Sequence, residues 1–260
     1  MQSALAQSEK CDVFVVDHGS TDKTPEVLAS FGPSITYLRR EDDLGPIFSW
    51  IEGVMRCKTE FVKILFDDDF LMPNYVQEVM SLMDEKTGFV SSDAFVFDAM
   101  SGKVIVPSLF EFPRTGRFKV SSLAGERVAR LMISPSSFVM RRSDLISGLY
   151  GGHLPFQKFH HHGAGPDHYT KLLAMLRYSH FGIVREPLVA LGSHENSITI
   201  KSQSDLVQQK NLRAVYNEVW LFYQQLRILR AAQPLLLWGQ RSVELAIGWF
   251  QTAKRIIKFK

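Results

Sequence analysis

Three consecutive carboxylates, Asp67, Asp68 and Asp69, close the apolar run Phe61-Val62-Lys63-Ile64-Leu65-Phe66 and stand just ahead of Phe70-Leu71-Met72-Pro73. Two like charges about 4 Å apart repel by roughly 1 kcal/mol in water and several times more near a protein interior. Adjacent acids at one point of a chain therefore need a cation or hydrogen-bond donors facing them. A divalent metal carrying phosphates suits the cluster, because Mg²⁺ takes one or two carboxylates and fills its remaining positions with water and phosphate oxygens. The competing use, capping a helix over residues 74–83, would occupy only one of the three side chains.

The elements around the cluster set where it must lie. A short apolar run bounded by Pro73 at the first turn of a helix reads as a buried strand followed by that helix, and open α/β sheets bind ligands at the carboxyl ends of their strands. Ahead of it the same unit repeats. Residues 1–7 read as closing turns of a helix, 12–17 as a strand, and Thr24 as an N-cap with Pro25 at N1 and Gly32 closing the helix. Residues 35–40 follow as a strand, 46–56 as a helix and 61–66 as a strand. Strands alternating with helices at this spacing indicate a parallel sheet of the nucleotide-binding kind.

Further on, residues 88–98 and 103–109 read as strands joined by a Ser101-Gly102 turn, a hairpin rather than a crossover. Ser121-Ser122 can cap a helix through Met132, and 136–142 reads as another strand. The glycine-rich stretch 151–165 carries His160-His161-His162. Such a tract suggests metal binding by composition, but adjacent histidines do not converge easily on one ion, and a loop over a substrate cleft is the better reading. Residues 206–230 and 240–258 have a helical pattern, punctuated by Pro234 and Gly239.

Three separated pieces carry a resemblance. Val15-Val16-Asp17-His18-Gly19-Ser20-Thr21-Asp22 looks like the "VVDDGSTD" element of family 2 glycosyltransferases, departing from it at His18. Phe66 to Pro73 resembles that family's DXD region in its xDD form. Gly165-Pro166-Asp167, a helix, Arg185-Glu186-Pro187-Leu188 and His194 are similar to its catalytic segment. Together they span roughly residues 3–200. The resemblance implies an α/β chain with the GT-A (nucleotide-diphospho-sugar transferase) fold, a Rossmann-like mixed sheet flanked by helices, occupying 1–202, with a C-terminal helical extension over 203–260. It also implies a first strand and the front of its helix ahead of Met1, so a sheet lacking that strand is expected.

The roles implied by the resemblance are specific. Asp17, Gly19, Ser20 and Asp67 are placed on the nucleotide sugar; Asp17 is otherwise a turn-forming acid. Asp68, Asp69 and His194 are placed on Mg²⁺ or Mn²⁺, His194 being otherwise a solvated loop residue. Counting back from Pro73 favours Asp68 and Asp69 as ligands, whereas counting from the strand end favours Asp67 and Asp69. Asp167 is the candidate base that takes the proton of an acceptor hydroxyl, giving direct displacement with inversion; as a helix cap it could serve both ends. Gly192 and Trp50-Ile51 depart from the family, where many relatives carry Arg and Arg-Asn near the diphosphate. The implied activity is transfer from a nucleoside-diphosphate sugar to a saccharide or lipid-linked acceptor in cell-surface or secreted polysaccharide synthesis. The alternative, which the absent first strand favours, is a non-catalytic transferase-like binding module.

Composition bounds these readings. The 260 residues are 45% hydrophobic and 22% charged with a formal net charge of +3, fitting a soluble globular chain and not a nucleic-acid binder. A nucleotidyltransferase is disfavoured because no Gly-rich phosphate loop lies near the start. Cys11 and Cys57 lack disulfide-framework or metal-site spacing. Neither a signal peptide nor a membrane span is read from the chain, and a cytoplasmic location is expected. Residues 240–260 combine Trp249, Phe250, Ile256 and Ile257 with Lys254, Arg255, Lys258 and Lys260. That pattern fits a helix packed on the domain with a solvated basic face, or one at the inner face of a membrane.

Overall fold

A computed structural model describes residues 1–109, 112–122, 134–150, 158, 164–194 and 206–258, without the side chains of 234–258. A short helix, α1 (Gln2–Leu5), leads to the strand β1 (Phe14–His18), the helix α2 (Thr24–Ala29) and the strand β2 (Thr36–Arg40). β1 and β2 pair in parallel, Asp17 standing opposite Arg39, as the strand–helix–strand spacing requires. The ends of α2 differ from expectation. Lys23 is its N-cap, no side chain caps it, and Thr24 is already helical. Gly32, at φ +51°, opens a short 3-10 turn instead of closing the helix. The next helix, α3 (Pro46–Arg56), falls where the sequence places it, because Pro46 is pre-set for a first helical position.

The larger sheet is mixed. Its strands are β3 (Phe61–Val62), β4 (Phe70–Leu71), β5 (Thr87–Asp98), β6 (Val104–Val106), β7 (Gly116–Lys119), β8 (Phe138–Arg141) and β9 (His180–Ser193). They lie in the order β3-β8-β5-β9-β4, with β6 on β5 and β7 on β9. Only β5 and β9 run parallel within it; the other pairs are antiparallel. The hairpin of β5 and β6 is as expected, as is the long strand through Arg185-Glu186-Pro187-Leu188. Helices α4 (Tyr75–Ser81), α5 (Arg142–Gly148) and α6 (Pro166–Arg177) flank the sheet. Tyr75 and Val79 of α4 are buried with Val90, Ala94, Val139, Val184, Leu188 and Val189, side chains that each contribute about 1.5–3 kcal/mol when fully buried if they are as large as Val or Leu.

The expected strand over 61–66 shows a departure with a physical cause. Only Phe61 and Val62 pair, with Arg141 and Met140 of β8. Among the described residues β1 pairs only with β2 and β3 only with β8. The stretches 13–17 and 61–66 both line one cavity of about 1940 Å³, and the described strands form two sheets, one of β1 and β2 and one of the other seven.

Nearly all of the expected helix after Ser122 and of the stretch 151–165, with His160-His161-His162, lies outside the described residues. A last helix, α7 (Leu206–Lys258), continues through Pro234 and Gly239 where a break was expected; an interior Pro costs a helix roughly 3 kcal/mol but does not forbid it. The chain forms two compact units, Met1–Val219 and Trp220–Lys260, the second consisting of helix, with Trp220 and Tyr223 in ring contact.

Candidate active site

β1 delivers Asp17 to its carboxyl end. The carboxylate is buried; its Oδ1 accepts from the Ser20 amide at 2.8 Å, its Oδ2 accepts from the Tyr37 hydroxyl at 2.7 Å, and Arg39 Nε lies at 3.7 Å. Burial pushes the acid up, but the Ser20 and Tyr37 donors with the Arg39 charge outweigh it and hold the carboxyl below its ordinary range. Asp17 is thus a fixed anion with lone pairs to spare. Gly19 makes the turn after it at φ +91°, where a Cβ would come within 3.1 Å of the Glu41 carbonyl oxygen. His18 Nδ1 meets Asp43 Oδ1 at 2.9 Å, and the same oxygen accepts from the Gly45 amide at 2.8 Å.

The three carboxylates differ in their surroundings. Asp67 is exposed, Asp68 is partly so and Asp69 is buried at 4% exposure. Asp68 Oδ2 lies 3.3 Å from His194 Nε2; burial, with the Asp67 charge adding, raises its acid. Asp69 Oδ1 accepts from the Gly192 amide at 3.1 Å, while Oδ2 has no partner among the described residues. Burial pushes the Asp69 carboxyl up to about 6, with the Asp68 charge adding, against the Ser136 hydroxyl, the Gly192 amide and the Lys63 ammonium.

Lys63 is half-buried near the cluster. It donates to the Ser136 carbonyl and sits 4.2 Å from the Tyr75 ring centroid. Burial pulls its ammonium down to about 7, with Asp69 opposing. Ser136 Oγ in turn accepts from the Phe66 amide at 3.0 Å, which fixes the chain just ahead of the acids.

β9 brings Gly192 and His194 to the same place. A Cβ at Gly192 would lie 2.4 Å from the Asp68 carbonyl oxygen, so this strand passes the carboxylate cluster too closely for any side chain. The departure from the family at this position therefore has a steric cause. Gly192→Ala is expected to destabilise the chain by about 1–3 kcal/mol, the usual cost of overpacking, measured as an earlier denaturant midpoint with an unchanged slope.

Asp167 lies in the first turn of α6, and its Oδ1 accepts from the Gly165 amide at 3.3 Å. Gly165, at φ +112°, holds a backbone conformation that favours glycine, and a Cβ there would be crowded, 3.2 Å from both Tyr150 Oη and Val215 Cγ1. Burial raises the Asp167 carboxyl, with the Lys171 charge opposing from one turn along the helix. Lys171 is itself fully buried, 4.7 Å from the Phe138 ring centroid, and burial pulls it down to about 8. The Tyr150 hydroxyl is buried without a hydrogen-bond partner among the described residues.

Of the residues placed on the nucleotide sugar, the metal or the acceptor, all but Gly19 line one cavity: Asp17, Ser20, Asp67, Asp68, Asp69, Asp167 and His194. Gly19 shapes the turn instead. Sequence reasoning missed Lys63, Ser136, Tyr150 and Lys171. A lysine inside an apolar run is the one signal that could have found any of them.

A family model described as glycosyl transferase family 2 matches residues 1–147, more than half of the chain. The chain belongs to this family. As a family 2 glycosyltransferase it is 31% identical over 87 residues to an uncharacterized glycosyltransferase of Rickettsia typhi (strain ATCC VR-144 / Wilmington), covering 33% of this chain and 27% of that one. An uncharacterized glycosyltransferase of Rickettsia prowazekii (strain Madrid E) matches with the same identity and coverage. The chain thus spans about a quarter of the length of these curated relatives.

Among solved structures, S. aureus TarS 1-349 in complex with UDP superposes with a TM-score of 0.57 at 16% identity, over 75% of this chain and 55% of that one. A second structure of TarS 1-349 gives 0.57 and 16%, over 85% and 66%. At this identity the likeness concerns the fold, and the expected GT-A class with its mixed sheet between helices is borne out.

Proposed function

We propose that this family 2 glycosyltransferase moves a sugar from a nucleoside-diphosphate sugar to an acceptor hydroxyl with inversion, in the making of cell-surface or secreted polysaccharide. The observation that carries the reading is the convergence of Asp17, Asp68, His194 and Asp167 on one cavity. Asp17 and Ser20 would hold the nucleoside, and Asp67 would take part in binding the nucleotide sugar.

The donor set near Asp68 fits Mg²⁺ or Mn²⁺, since a part-exposed carboxylate and an imidazole stand 3.3 Å apart and such ions complete their shells with phosphate and water. Of the three residues that the resemblance places on the metal, Asp68 and His194 would hold the ion directly, whereas Asp69, buried and bonded to Gly192, would hold β9 beside it. Bound there, the metal would supply Lewis-acid stabilisation of the leaving diphosphate. Asp167 would take the acceptor proton; its raised pKa makes it a stronger base than an ordinary carboxylate.

The test is calorimetry with UDP, with and without Mn²⁺, then with GDP and dTDP. Micromolar, metal-dependent binding of one nucleotide is expected. A folded chain that binds none would overturn the donor reading. That outcome would instead support a non-catalytic transferase-like module. The acceptor, saccharide or lipid-linked, is proposed from the same reading. Contact of 240–260 with a membrane surface remains a proposal from sequence. No helix among the described residues is long and apolar enough to cross a membrane.

A further inference from the structure

Trp50 stands where many relatives carry a cation, and none of the roles above uses it. Its position follows from two anchors. α3 lies so close to β1 at Gly53 that a Cβ there would come within 3.2 Å of Val16 Cγ2. Trp50 is three residues earlier and so on the same face of the helix, displaced toward its N-terminus, the direction in which helical side chains also lean. That N-terminus is fixed at the carboxyl end of β1, because Asp43 Oδ1 contacts both His18 and the Gly45 amide.

On its other side the Trp50 ring stacks on Phe66, with centroids 5.6 Å apart and planes at 27°. Phe66 directly precedes Asp67. One aromatic pair therefore joins α3, which packs on β1, to the residue just ahead of the carboxylate cluster. Both rings are partly exposed and line the same cavity as Asp17, Asp68 and His194. The indole is therefore part of the cavity wall and accessible in part from the proposed donor cleft.

We propose that Trp50, backed by Phe66, is the aromatic floor on which the nucleoside of the donor lies, its base stacking on the indole. The proposal rests on the nucleotide-sugar reading and adds to it a specificity-determining residue. An indole cannot neutralise phosphate, so its contribution goes to the planar base and ribose, while charge on the diphosphate is met elsewhere in the cleft. Stacking tolerates any base, because every base has a π face; selection among bases then falls to the hydrogen bonds that Asp17 and Ser20 offer.

The chain has four tryptophans, and the other three, Trp220, Trp238 and Trp249, belong to α7, which makes fluorescence a direct test. The full chain is titrated with uridine, UDP and inorganic pyrophosphate, each in the presence of Mn²⁺, and the same is done for Trp50→Phe and Trp50→Ala, with UDP affinity measured in parallel by calorimetry. Uridine and UDP should quench the emission and pyrophosphate should not. Trp50→Phe should abolish the quench while keeping a ring to stack on, and Trp50→Ala should weaken UDP binding by about tenfold or more. If calorimetry shows UDP bound to the wild-type chain but its emission unchanged, and Trp50→Phe and Trp50→Ala bind equally well, the proposal is overturned while the donor reading stands. If no nucleotide binds, both fall. Should Trp50→Ala fail to fold, the pairing of wild type with Trp50→Phe still decides, because a quench that survives in Trp50→Phe cannot come from Trp50.

Discussion

Asp167→Asn is expected to lower kcat by about 10²–10⁴-fold, the usual contribution of a positioned general base, while leaving UDP affinity within about twofold. The amide keeps the side chain's shape and its acceptor for the Gly165 amide, so the fold of α6 is spared and only proton acceptance is lost. The pH profile carries a sign that can be worked out. The base acts when ionised, so kcat/KM falls as pH drops through its pKa. Burial raises that pKa above the ordinary carboxylate value, and the acid limb should therefore lie above the range of a solvent-exposed Asp. Lys171 opposes the rise, so Lys171→Met should move the limb to still higher pH. Transfer or slow hydrolysis of a labelled nucleotide sugar across pH measures both. An Asp167→Asn chain that keeps more than a tenth of wild-type turnover would remove Asp167 from the base role and leave it a helix cap.

How far the fold could be read in advance depended on whether the deciding interactions were local. α3 was legible at both ends because Pro46 and the helical period act within the segment itself. The stretch 61–66 was legible as extended chain but not as a strand of known length, since pairing belongs to the neighbour and only Phe61 and Val62 have one. α5 was missed: Arg142-Ser143-Asp144-Leu145 is short and polar, and it follows directly on a strand. Part of what holds it is distant, Asp144 accepting from Arg177 at 2.6 Å and from Tyr178 at 2.7 Å. Two-residue β4 was missed for a similar reason, because nothing in Phe70-Leu71 announces Ala190 and Val189 as partners.

The site divides along the same line. Asp17, Asp68, Asp167 and His194 each sit in a run of neighbours that marks them, at a strand end, a helix start or a turn. Their supports do not. Lys63 reaches the Ser136 carbonyl across 73 positions of sequence, and Ser136 reaches the Phe66 amide across 70. Such contacts are set by how β3 and β8 pack, and no local pattern of residues encodes them. The difference between Asp68 and Asp69 has the same origin: Asp67 and Asp68 form a turn closed by the Asp69 amide on the Phe66 carbonyl at 3.3 Å, and only the packing of β9 against it decides which carboxylate is covered.

That difference yields the other large effect. Asp68→Ala is expected to abolish metal-dependent UDP binding, at least a hundredfold loss by calorimetry, because it removes the carboxylate that stands beside His194. Asp69→Asn should behave otherwise. The amide oxygen can still accept from the Gly192 amide, so metal-dependent binding should survive within about tenfold. Its effect should appear in stability instead. A carboxyl whose folded pKa is raised to about 6 binds its proton more tightly in the native state than in the unfolded one. Stability is then fully present below the unfolded value near 4 and is lost as pH rises through 6. In chelator-treated protein, Asp69→Asn should therefore be more stable than wild type by about 3 kcal/mol at pH 7–8, with the gain vanishing near pH 4. Denaturant melts at the two pH values measure it. Equal loss of metal binding in both variants would mean that Asp69 is a ligand as well, its buried oxygen turning to the ion when nucleotide arrives. Survival of binding in Asp68→Ala would show that the charge of the diphosphate is met without this carboxylate.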